Sequence, residues 1–187
     1  MKKLITIALI LAMLLPAAAL AESYEPLLGM TMDEFILKYN AVSAPLESPY
    51  VSLNKPFSWT KWEGFNVAWF YADKTKTVTI LLLSKDPTNS VTTSGLDEIQ
   101  IFAKSDSAWV PLIGVTNRCA SLFSAQLFGT SMSPMYIGDT IAYYYENNCE
   151  EKGLTAMHSL DEDNSISIIF FHQDTYYFKI SASEAFQ

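Results

Sequence analysis

The chain has 187 residues, and its 20 acidic against 12 basic side chains give a formal net charge of −8. A phosphate-binding surface needs clustered Lys and Arg, but Arg118 is the single arginine and the lysines are dispersed, which argues against nucleic acid as a partner. Hydrophobic residues make up 50% and aromatic residues 13%, which excludes a disordered chain and supports a real core.

Residues 1–21 read as a cleavable secretory leader. Lys2 and Lys3 form a basic start, Leu4 to Leu15 an apolar stretch, and Pro16 to Ala21 a small-residue end with Ala19 and Ala21 at the positions a signal peptidase reads. An apolar run of about 12 residues is short of the roughly 20 that span a bilayer. Cleavage is expected after Ala21, with a secreted or periplasmic product. Glu22-Ser23-Tyr24 holds no cysteine for a lipid, so no membrane insertion is expected after processing. Losing Lys2 and Lys3 takes the net charge from −8 to −10. That balance suits solubility or a cationic partner.

Thr31-Met32-Asp33-Glu34 matches a capping box and predicts a helix start, with Phe35, Ile36, Tyr39 and Val42 on one face and Pro45 closing the segment. Ser43 to Pro56, with three prolines, reads as a linker. Phe65 to Ala72 alternates as a strand, Asp73 to Lys76 is a polar turn, and Thr77 to Ser84 is a β-branched and apolar strand. A polar loop from Lys85 to Gly95 leads to a third strand, Ile99 to Ala103. A helix capped by Asp106 or Ser107, with Pro111 in its first turn, is predicted to continue towards Gly129. A second runs from Ser133-Pro134 to about Asn148, with Gly138 weakening its continuity.

The C-terminal third repeats the earlier pattern. Residues 67–83 align without gaps on residues 155–171, each followed by a further strand, Ile99 to Ala103 or Tyr176 to Ile180. The expected fold class is therefore α+β. An antiparallel sheet is packed by about three helices, as a tandem duplication of a helix-plus-three-strand unit. The halves would be residues 22–105 and 106–187, in one compact domain.

Leu28-Gly29-Met30-Thr31-Met32-Asp33-Glu34-Phe35 resembles the Gly-Met-Thr helix start of the secreted β-lactamase-inhibitor proteins and of small outer-membrane assembly lipoproteins. In the inhibitor family a helical segment and antiparallel sheet occur twice, and the concave sheet face binds an enzyme. The resemblance implies a protein-binding role and transfers no functional residue. The C-terminal half has no second Gly-Met-Thr.

Candidate chemistry is sparse. His172 beside Asp174, or His158 near Asp161, could serve a hydrolase, but Gly129-Thr130-Ser131-Met132-Ser133 lacks the second glycine of a nucleophile elbow. His172-Gln173-Asp174-Thr175 also sits where a hairpin turn belongs. Ser52-Leu53-Asn54-Lys55 forms Ser-x-x-Lys outside any helix. Asp161-Glu162-Asp163-Asn164 is acidic, but Ile166 and His172 stand where a calcium loop needs glycine and glutamate. Two cysteines with His158 and His172 make no zinc spacing, and no cofactor is expected. Cys119 and Cys149 fit either a disulfide, worth roughly 3–4 kcal/mol by loop entropy, or two buried thiols.

The aromatics remain. Phe57, Trp59, Trp62 and Phe65 crowd one stretch, while Tyr143-Tyr144-Tyr145 and Tyr176-Tyr177 place tyrosines on both faces of their elements. Exposed Trp and Tyr supply contact area at low entropic cost. Trp59, Trp62, Tyr144 and Tyr176 are thus the candidate binding residues, for a protein or glycan at the cell surface. The function expected is non-enzymatic binding of an extracytoplasmic protein or cell-envelope component; the alternative is a small secreted hydrolase using His158 or His172.

Overall fold

The computed structural model describes residues 24–43, 51–87, 90, 93–103, 105, 108–123, 135–160, 165–172 and 174–182. The leader and its cleavage site lie outside these residues, as do Asp106, Ser107, Gly129 and the 161–164 turn.

Helix α1 (Met32–Ser43) begins at the capping box the sequence predicts. Thr31 Oγ1 accepts the Glu34 amide at 3.2 Å, while Glu34 Oε2 accepts the Thr31 amide at 2.8 Å. Two amides that the helix cannot satisfy are thereby paired. Met32, Phe35 and Tyr39 are fully buried, whereas Val42, placed on the same face by its spacing, is exposed in the last turn. The following segment is not loose where it is described. Asn40 clamps Leu53 through both of its amide atoms, at 2.7 and 3.2 Å, and Leu53 is buried.

Strand β1 (Ser58–Trp62) has no counterpart in the sequence reading. It joins β2 (Phe65–Tyr71) through Glu63-Gly64, whose φ angles of 49° and 85° are the two positive values a two-residue hairpin turn of matching twist requires. Strand β3 (Val78–Ser84) and strand β4 (Glu98–Ala103) complete the meander. Asp73 ties the β2–β3 turn: it accepts the amides of Thr77 and Val78, each at 2.8 Å, and the hydroxyls of Thr75 and Thr77.

Helix α2 (Trp109–Ser121) carries Pro111 in its first turn, where a missing N–H costs nothing. It starts at Ala108 without a side-chain cap and turns at Leu122 and Phe123. Helix α3 (Met135–Glu146) passes Gly138 unbroken, and a single turn, α4 (Cys149–Lys152), follows. Strands β5 (Ala156–Ser159), β6 (Ile166–His172) and β7 (Tyr176–Ala182) end the fold.

The architecture is α+β: one seven-stranded antiparallel sheet in the order β1-β2-β3-β4-β7-β6-β5, with four helices among the described residues. The aligned segments occupy matching positions. Phe70 faces Ile80 as His158 faces Ile168, and Trp69 faces Leu81 as Met157 faces Ile169. Leu81 pairs with Gln100, and Ile169 pairs with Lys179. At the seam Gln100 pairs with Lys179 itself, so an approximate two-fold passes between those residues.

Alternation divides the sheet residues between two faces. Phe70, Ile80, Ile99, Ile101, Phe170 and Phe178 pack with Phe35, Leu112, Val115, Ile137 and Tyr144 of the helices in one core. Among the described residues no helix is long and apolar enough to cross a membrane.

Candidate functional site

Among the described residues, no helical residue joins the cluster on the opposite sheet face. Val67, Leu81 and Leu83 are buried there, with Phe65 and Trp69 of β2 and Phe102 of β4 packed against them. Among the described residues, these three side chains are buried by packing within the sheet. A groove of about 950 Å³ runs over this face, lined by Trp62, Phe65, Leu83, Met157, Ile169 and Tyr177 around a polar centre.

That centre lies on the β4–β7 seam. Glu98 Oε2 is 2.7 Å from Lys179 Nζ, and Glu98 Oε1 accepts a hydrogen bond from Gln100 Nε2 at 2.6 Å. Both carboxylate oxygens are therefore engaged. Burial, and then the charge of Glu98, push the Tyr177 phenol above its ordinary range, so it stays a neutral hydroxyl at physiological pH. At one end, Asp97 accepts the amides of Leu27 and Lys85, at 3.0 and 2.6 Å, and the Tyr24 hydroxyl. Burial and the Asp97 carboxylate raise the Tyr24 phenol in turn.

Along β2 and β4 the face continues as an aromatic row. Phe57 stacks on Tyr71 with ring centroids 4.1 Å apart, and Trp69 meets Phe102 edge-on at 6.5 Å. Trp69 Nε1 donates to Thr60 Oγ1, and Lys85 Nζ sits 5.0 Å from the Phe65 ring centroid.

The four aromatics singled out from sequence do not converge. Trp62 lines the groove and is 43% exposed. Trp59, three positions earlier on the same strand, points to the other face and packs against the helical core. Tyr144 is fully buried; its hydroxyl donates to the His172 carbonyl at 2.8 Å, so it offers no surface to a partner. Tyr176 is half-buried between Trp109 and the His172 ring, which stacks on it at 4.2 Å. Glu98, Gln100, Lys179 and Tyr177 are not among the binding candidates singled out from sequence. Only the strand order, which sets β7 beside β4, brings them together.

His172 ends β6, its Nδ1 3.5 Å from Glu150 Oε1 and 3.4 Å from the Tyr145 hydroxyl. Its neighbours are a carboxylate and a phenol. The side chain of His158 lies outside the described residues, although its backbone pairs with Ile168 in β5. Cys119 and Cys149 are both buried free thiols, and burial pushes the Cys119 thiol far above its ordinary range. Among the described residues no three His, Cys, Asp or Glu side chains gather as metal ligands.

Comparison with protein families, with curated proteins and with solved structures finds no match to this chain.

Proposed function

We propose that the protein acts outside the cytoplasm as a non-enzymatic binding protein that captures another protein on the groove-bearing face of its sheet. The observation that carries this reading is the groove itself: a face of Trp62, Phe65, Met157, Ile169 and Leu83 around a polar centre, with no helical residue in its cluster among the described residues. Rigid aromatic anchors around a few fixed polar groups are the composition of a protein-binding surface. The leader-like residues 1–21 support an extracytoplasmic site of action.

Purified chain beginning at Glu22 serves as bait for extracytoplasmic proteins. Trp62→Ala is expected to abolish retention of a specific partner, and Trp59→Phe, on the helical side, to preserve it. Retention insensitive to Trp62 would sink the proposal.

A further inference from the structure

The groove lining carries three carboxylates, Glu63, Asp97 and Glu98, against two ammonium groups, Lys85 and Lys179. Two of the carboxylates are already engaged. Glu98 is paired with Lys179 and bonded by Gln100, and Asp97 accepts from Tyr24, Leu27 and Lys85. Glu63 differs: it is exposed, and among the described residues its side chain has neither an ion pair nor a hydrogen bond. It also takes the left-handed backbone of the β1–β2 turn, φ 49°, where Asn, Asp or Gly fits with less strain, so the turn itself does not call for a glutamate. Its neighbour Trp62 lines the same groove and is 43% exposed.

We infer that the groove receives a basic side chain of the partner protein, an arginine or lysine flanked by apolar residues, which docks where Trp62 and Glu63 line it. This inference rests on the protein-binding reading of the same face. A guanidinium or ammonium is attracted both by the face of an indole ring and by an uncommitted carboxylate, and Trp62 and Glu63 supply one of each. The apolar flanks meet Phe65, Met157 and Ile169. Lys179, neutralised by Glu98, and Lys85, over the Phe65 ring, leave Glu63 as the groove's unmatched charge. The chain's net charge of −8 draws a basic surface in at long range, and within roughly 8 Å, where salt screens little, the local groups decide the docked pose.

A phage-displayed random peptide library, panned against the chain beginning at Glu22, tests the inference without knowledge of the natural partner. Clones are sorted by loss of binding to Trp62→Ala. Those that depend on Trp62 are expected to carry Arg or Lys beside apolar residues. Their affinity should fall about fivefold for Glu63→Gln and further for Glu63→Lys, and Lys85→Met should tighten it. Glu63→Gln keeps the side-chain length and the same backbone demand, so its thermal unfolding should match the parent. Asp139→Asn removes an equal charge from an exposed position on α3 and should leave affinity unchanged. Trp62-dependent clones that lack basic residues, that bind both Glu63 variants unchanged, that weaken with Lys85→Met, or that lose as much to Asp139→Asn as to Glu63→Gln overturn the basic-residue inference and leave the face as a binding surface. If every clone binds Trp62→Ala as well as the parent, the binding face itself is refuted, and the basic-residue inference with it.

Discussion

Glu98 and Lys179 pair at 2.7 Å across the β4–β7 seam, on the groove-bearing face of the sheet. The pair is partly shielded, with Glu98 11% and Lys179 33% exposed. Its strength therefore lies between that of an exposed pair and that of a buried one. Lys179→Met alone strands a carboxylate and should cost about 1–2 kcal/mol in urea unfolding. The double variant Glu98→Gln/Lys179→Met should recover most of that loss. Equal destabilisation of the single and double variants would show that the ion pair is not what matters there.

Asp73 gives the β2–β3 turn a pH dependence. Burial opposes ionisation, but the hydrogen bonds from Thr75, Val78 and Thr77 outweigh it and hold the carboxyl below the usual range. A group ionised more easily when folded contributes stability that is complete above its unfolded value. That contribution is lost as pH falls through the lowered folded value. Asp73→Asn should cost about 1–2 kcal/mol at pH 7, and the gap from the parent should narrow as the solution is acidified below the ordinary carboxylate range. A pH-independent gap in unfolding free energy contradicts this assignment.

Gly95 holds the N-terminal segment against the sheet. A Cβ there would stand 2.7 Å from Pro26 Cβ and 2.9 Å from Tyr24 Cε1. Gly95→Ala should therefore displace Tyr24 from Asp97 and cost about 1–3 kcal/mol. Tyr24→Phe, which removes only the hydroxyl, should cost less. The order of the two melting temperatures checks this.

The parts of the fold that depend on local spacing were readable from sequence. Thr31 and Glu34 announced α1, while the alternation of Phe65 to Tyr71 and the β-branched, apolar run after the Asp73 to Lys76 turn announced an antiparallel hairpin. Strand β1 escaped because Glu63-Gly64 is a weaker hairpin signal than Asn-Gly or Asp-Gly, although its geometry is the same. Its discovery separates Trp59 from Trp62, since residues three apart on a strand point to opposite faces. Burial of Tyr144 between exposed Tyr143 and Tyr145 follows from helical rotation, which a run of three identical residues conceals. The site itself was not legible. Val67, Leu81 and Leu83 are as apolar as the residues of the helical side, so composition does not tell which face lies open.

Cys119 and Cys149 should both resist thiol reagents in the native protein, because burial keeps the Cys119 thiol protonated and Cys149 is shielded from solvent. Intact mass after alkylation should show neither modified under native conditions and both modified in urea without reductant. Failure to alkylate in urea until a reductant is added would reveal a disulfide instead.

Under the proposed function, partners bind the groove-bearing face of the sheet. A photo-crosslinking amino acid placed at Trp62 or Met157, both in the groove, or at Leu37 or Val110, on the exposed sides of α1 and α2, tests it directly. Illumination in cells producing the full chain should yield one defined protein adduct from positions 62 and 157 and none from 37 and 110. The same adduct from the helical positions, with none from the groove, would contradict the account.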